Sequence, residues 1–185
     1  MRRDLDWADE AWRSGGWQEW LRDRGSLTLR LQQRCGDFRV RRLRQVMDRP
    51  NADERRLLHL RACQRALVRE VLLLCGETVL VFAHSVIPLK GLHGPWRGLS
   101  KLGQRPLGTT LFADPRVRRL PLTSRRLDRR HPLYRGLSAQ QPDLPRQLWA
   151  RRSLFFLDGQ PILVTEVFLP AVRALPRPDV ARAKR

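Results

Sequence analysis

Lysine is nearly missing from this 185-residue chain. Of its 37 basic residues only Lys90, Lys101 and Lys184 are lysine, so 34 are arginine, set against 18 acids for a formal charge of +19. The arginines run from Arg2 to Arg185 with no dominant cluster. A nucleic-acid footprint concentrates its charge in a patch, a basic helix or a tail, so the spread reads as compositional bias and no specific nucleic-acid partner is expected. Loose sticking to nucleic acid at low salt follows from the charge alone. An anionic small-molecule substrate is equally compatible with it.

Cysteine and histidine are also scarce. Cys35, Cys63 and Cys75 are odd in number, widely spaced and never in a CxxC pair, which argues against a disulfide framework and against zinc. His59, His84, His93 and His131 have no HExxH spacing, and no metal is expected. There is no Walker A loop, no GxGxxG and no internal repeat. Gly76 and Glu77 interrupt the longest apolar run, far short of the roughly 18 to 20 residues that span a bilayer. The N-terminal MRRDLDWADEAWRSGGW has basic residues but no apolar centre, so a secretory signal is not expected and the location is read as cytoplasmic.

A hydrophobic fraction of 42% suits a globular protein of one core. Residues 1–172 are read as that domain and residues 173–185 as a basic, disordered tail. Leu5 to Trp20 has a helical pattern, and Ser26 is placed to cap a helix over Leu27 to Gln33. Asp37 to Asp48 reads as a strand with one wet face. Glu54 to Leu60 reads as a short helix, as do Gly94 to Leu102 and Thr109 to Phe112. Leu67 to Cys75 and Val79 to Ile87 form one predicted hairpin, Leu148 to Leu157 and Ile162 to Leu169 another. Val117 to Leu122 has strand character, while Ser124 to Arg146 is expected to be a long loop. Hairpin-paired strands with helices before and between them give an α+β fold, a single antiparallel sheet with helices packed on it.

Two charged residues stand out on these strands. Alternation puts Glu166 on one face with Ile162, Val164 and Phe168, and the other face is apolar too. A carboxylate there needs a partner or a raised pKa. Either an ion pair with one of the many arginines or a role as base or hydroxyl acceptor would meet that need. Arg69 shares the face of Leu67, Val71 and Leu73, where its fork suits a carboxylate, although a snorkelling edge arginine looks the same in sequence. The Ser26-Leu27-Thr28 and Pro106-Leu107-Gly108 junctions offer backbone N–H groups that either bind an anion or are ordinary caps. His84 lies with Phe82 and Val86 and reads by itself as a core histidine.

Four blocks in order, WLRDRGSLTLRLQQ, VREVLLLCGE with VFAHSVIP, KLGQRPLGTTLF and WARRSLFFLDGQPILVTEVFLP, resemble the chorismate pyruvate-lyase family from Trp20 to Pro170. The resemblance implies an antiparallel sheet with helices, and a lyase that turns chorismate into 4-hydroxybenzoate and pyruvate on the way to ubiquinone. It implies that Arg69 and the amides of Leu27 and Leu107 hold the ring carboxylate. It also implies that Glu166 meets the ring hydroxyl, so that Arg69 and Glu166 are the catalytic candidates. Where relatives commonly have arginine in GR(T/S)V(I/V)P, this chain has His84, which the resemblance places on the pyruvyl carboxylate. It implies no cofactor, because aromatisation drives the reaction, and a monomer is expected. The rival reading is a non-catalytic domain of the same fold that senses small aromatic acids. A DNA-binding winged helix would normally precede such a domain, and the residues before Arg69 are expected to be too few for one plus the leading helices.

Overall fold

A computed structural model describes residues 7–8 and 11–177. Seven strands form one antiparallel sheet in the order β1-β2-β3-β7-β6-β4, with β5 also paired to β6. The strands are β1 Phe38–Asp48, β2 Ala66–Cys75, β3 Thr78–Pro88, β4 Arg118–Arg119, β5 Thr123–Asp128, β6 Gln147–Leu157 and β7 Gln160–Phe168. Six short helices accompany them, α1 Gln18–Leu21, α2 Leu27–Arg34, α3 Ala52–Leu57, α4 Leu89–His93, α5 Leu107–Ala113 and α6 Pro132–Ser138. The α+β class and both hairpins stand as expected. The β6–β7 turn places Asp158 at φ 48° and Gly159 at φ 74°, the paired positive φ of a hairpin turn whose twist matches its strands.

Strand alternation divides the side chains between two faces. On the front, Val71, Leu73, Val81 and Phe168 pack under Leu27 and Leu31 of α2 and under Trp20 and Leu21 of α1. Further along the same face, Leu67, Ile87, Phe155 and Ile162 pack under Leu107 and Leu111 of α5. On the back, Leu72, Phe82, Ala150 and Val167 meet Leu133 and Leu137 of α6.

The back also carries a buried polar layer that α3 supplies. Asp53 Oδ2 accepts hydrogen bonds from Arg152 Nη1 (2.6 Å) and Trp7 Nε1 (3.2 Å). Glu54 Oε2 accepts from the Asn51 N–H at 2.8 Å, half of the capping box that starts α3. Its Oε1 lies 3.0 Å from His84 Nε2, an ion-pair contact off-line for a hydrogen bond, while His84 Nδ1 and Glu70 Oε1 are hydrogen-bonded at 3.0 Å.

Several expectations need correction. Ser124 to Arg146 is not a loop, because Leu127, Leu133, Tyr134 and Leu137 bury β5 and α6 against the back of the sheet. The helical reading to Trp20 breaks into 3-10 turns at Ala11–Arg13 and Gly15–Trp17 before α1, as Gly15 at φ 55° requires. Its start at Leu5 lies outside the described residues. Gly94 to Leu102 is no continuous helix. Instead α4 precedes it, and a 3-10 turn occupies Arg97–Lys101. From Val117 to Leu122 only Arg118–Arg119 is strand. Cys35 and Cys75 form a disulfide, against the spacing argument, because α2 delivers Cys35 to the end of β2. A 3-10 turn covers Pro170–Ala174, with Val172 buried and Leu175 packed on the core, while residues 178–185 lie outside the described residues. No described helix is long and apolar enough to cross a membrane.

Candidate active site

The front face is not filled between its two apolar clusters. A narrow cleft opens there, floored by β2, β3, β6 and β7 and roofed by the first turns of α2 and α5. Arg69, Glu166, Leu27 and Leu107 all line it, so four positions far apart in sequence meet in one place.

Arg69 is 2% exposed. Its Nη2 donates to the carbonyl oxygens of Gly103 (3.2 Å) and Arg105 (2.9 Å), and its buried Nε has no partner. No carboxylate among the described residues pairs with it. Burial, with a smaller push from Arg42, brings its pKa down to about 10. The group remains charged at neutral pH, and a buried cation without an anion is costly to the empty protein.

Leu27 and Leu107 are the first residues of α2 and α5. An amide N–H at that position has no acceptor within its own helix. Ser26 caps α2 by accepting from the Leu29 N–H at 3.4 Å. The two helix starts abut at Gly108, where a Cβ would stand 3.0 Å from Thr28 Oγ1 and 3.5 Å from Ser26 Oγ. Glycine allows this approach without displacing Thr28, and it brings the two helix starts together at the cleft.

Glu166 meets the ion-pair reading of its sequence environment. It lines the cleft, and its Oε2 accepts from Arg151 Nε, directly opposite on β6. Arg151 is fully buried, and its Nη1 donates to the carbonyls of Trp20 (2.6 Å) and Asp23 (2.8 Å). One arginine thus fixes the glutamate and ties the segment before α2 to the sheet.

His84 departs from its expected place. Ala83 and Ser85 line the cleft, and His84 between them points to the back, held by Glu54 and Glu70. Its alternation with Phe82 and Val86 already gave that direction, so the substrate contact implied by the resemblance is corrected. Sequence reasoning missed Arg119, a second guanidinium lining the cleft beside Phe112 and Phe155. It also missed Arg151 as the specific partner of Glu166. Arg151 was readable from hairpin register, whereas Arg119 sits in an arginine-rich stretch with no local signal.

Residues 8–175 match the sequence profile of the family described as chorismate lyase. The chain belongs to the chorismate lyase family. It is 51% identical over 156 residues to a "Probable chorismate pyruvate-lyase" of Nitrosomonas europaea, covering 84% of this chain and 88% of that one. A protein of the same description from Thiobacillus denitrificans is 53% identical over 153 residues, covering 83% and 82%. Among solved structures, the C-terminal domain of PhnF superposes with a TM-score of 0.55 at 13% identity, over 71% of this chain and 82% of that one. That likeness speaks for the fold alone. Family membership makes the chain a lyase, and the cleft with Arg69 and Glu166 is its candidate active site.

Proposed function

We propose that this protein is a chorismate pyruvate-lyase that eliminates pyruvate from chorismate to leave 4-hydroxybenzoate, the aromatic precursor of ubiquinone. The observation that carries the reading is Arg69, a guanidinium buried on the cleft wall with no acid beside it. Such a group calls for an anionic ligand. Chorismate has a ring carboxylate, and across the ring a hydroxyl next to an enolpyruvyl ether. Arg69 with the Leu27 and Leu107 amides takes the carboxylate. Glu166 takes the hydroxyl as a hydrogen-bond acceptor.

The reaction breaks the bond between the ring carbon and the ether oxygen and removes the proton from the hydroxyl-bearing carbon. The electron pair of that C–H bond completes the aromatic ring, the C–O pair leaves with the side chain as enolpyruvate, and uptake of a proton at its methylene carbon gives pyruvate. Aromatisation supplies the driving force, so the site has mainly to hold the ring and align the two breaking bonds. Arg69 and the amides position the substrate, and Glu166, clamped by Arg151, orients the carbon that loses its proton. The substrate belongs to the front of the sheet, and no membrane insertion or nucleic-acid partner enters the reading.

The test is incubation with chorismate, following pyruvate with a coupled dehydrogenase and 4-hydroxybenzoate by chromatography. Equimolar formation of both, sharply reduced in Arg69→Ala and Glu166→Ala, is expected. Binding of 4-hydroxybenzoate without turnover would instead make the domain a sensor of aromatic acids. A Glu166→Gln variant that keeps most of its turnover and only binds more weakly would exclude an essential base at Glu166.

A further inference from the structure

Chorismate carries two carboxylates and its aromatic product only one, yet the residues assigned so far serve only the ring carboxylate and the hydroxyl. The cleft contains a second cation. Arg119 enters from the two-residue strand β4, where pairing with Phe155 on β6 sets its direction. Its guanidinium carbon lies 5.0 Å from the Phe155 ring centre and 5.5 Å from that of Phe112. Nη1 donates to the carbonyl oxygens of Arg24 (2.8 Å) and Gly25 (3.4 Å). The Nε is buried with no hydrogen-bond partner, and no carboxylate of the described residues pairs with the side chain. Glu166 is near enough for its charge to act on Arg119, partly offsetting the desolvation that lowers the arginine's pKa.

These facts set Arg119 in the cleft, tied to the backbone just before α2 and near enough to feel the charge of Glu166, with one donor uncommitted and an apolar flank that sharpens charge–charge attraction. In chorismate the ether sits on the ring carbon next to the hydroxyl-bearing one. With Arg69 on the ring carboxylate and Glu166 on the hydroxyl, the side-chain carboxylate falls at the Glu166 end. We propose that Arg119 binds the enolpyruvyl carboxylate, a contact that chorismate makes and its monocarboxylate product cannot. The inference rests on the lyase reading above. It makes Arg119 a specificity-determining residue and gives the product, once pyruvate has left, no claim on this second cation.

The test compares two ligands on wild type and Arg119→Gln, with steady-state kinetics on chorismate and equilibrium binding of 4-hydroxybenzoate. The variant should lose about 30-fold or more in kcat/KM, chiefly through KM, with its affinity for 4-hydroxybenzoate unchanged. A purely structural Arg119 would act through the Arg24 and Gly25 carbonyls, which lead directly into Ser26 and Leu27, so both ligands would weaken together. That result, or no change for either ligand, would overturn the proposal. Failure of the lyase reading is distinguishable because it appears already in wild type, as absence of chorismate turnover. If Arg119→Gln does not fold, Arg119→Lys serves the same comparison. A point charge without the fork should give a smaller loss for chorismate and again none for 4-hydroxybenzoate.

Discussion

Replacing His84 with alanine should cost about 3 to 5 kcal/mol of folding free energy and leave the chemistry of the cleft intact. Glu54 is 1% exposed and His84 3%. Removing the imidazole therefore strands a buried carboxylate whose remaining contact is the Asn51 end of α3. A second route gives a similar size. Burial alone would lower the His84 pKa, but Glu54 and then Glu70 outweigh it and raise the value from 6.5 to about 9. At about 1.4 kcal/mol per pKa unit, that rise corresponds to roughly 3 kcal/mol. A histidine raised in this way stabilises the fold fully below its unfolded value near 6.5, and the contribution disappears as pH climbs through about 9. Glu54 and Glu70 shift the other way, burial being outweighed by His84, and their contribution is lost as pH falls below the ordinary carboxylate range. Thermal melts by near-ultraviolet circular dichroism should show His84→Ala melting about 6 to 20 °C lower at neutral pH. Wild type should lose stability between pH 6.5 and 9, and the variant should be nearly flat there, which a simple cavity would not produce. Turnover of chorismate per folded molecule should match wild type. An unchanged melt with a raised KM would refute this account and return His84 to the substrate.

Gly108→Ala should push the starts of α2 and α5 apart, since the new methyl would stand 3.0 Å from Thr28 Oγ1. Calorimetry should show 4-hydroxybenzoate binding about tenfold or more weaker with little change in melting temperature. The Cys35–Cys75 bond closes a separation of 40 residues, a constraint worth about 4 kcal/mol on chain entropy. Reductant should therefore lower the melting temperature of wild type and leave Cys35→Ser unmoved. A salt titration with random oligonucleotides should detect weak binding near 50 mM salt that vanishes by about 200 mM, the signature of charge without a built interface. Binding that persists with a sequence preference would contradict it.

The faces of the strands were legible in sequence, and so was the side on which Arg69 and Glu166 lie. Alternation from Ile162 to Phe168 needs only the pleat, and the four cleft residues then follow from which face the helices cover. What local pattern does not encode is the partner. That Arg151 meets Glu166 depends on the register across the β6–β7 turn. That His84 meets Glu54 depends on α3 docking on the back of the sheet, across a gap of 30 residues. The β5 to α6 segment was misread because arginine, proline and glutamine dominate its composition. Its buried residues, Leu127, Leu133, Tyr134 and Leu137, are spaced so that strand and helix each contribute only a few. The family resemblance pointed to four positions that line one cleft but misplaced His84, because it carried a residue's role across a substitution without asking which face the side chain takes.

With 34 arginines against 18 acids, cations far outnumber the carboxylates that could pair with them, and composition cannot single out a functional one. Burial can. On the back of the sheet the buried cations are answered by acids, Arg152 by Asp53 and His84 by Glu54 and Glu70. On the front Arg151 is answered by Glu166, and Arg69 and Arg119 are left with backbone carbonyls and an uncommitted Nε each. An exposed arginine without a partner is solvated at no cost, whereas one held out of water on a cleft wall raises the free energy of the empty protein. Arg69, with its whole side chain buried, and Arg119, with its buried Nε, give one cleft two cations, and these match a dianion better than a monoanion. If turnover converts the first into the second, the electrostatic mismatch appears only after the bond has broken, when one of the two cations is left without its anion.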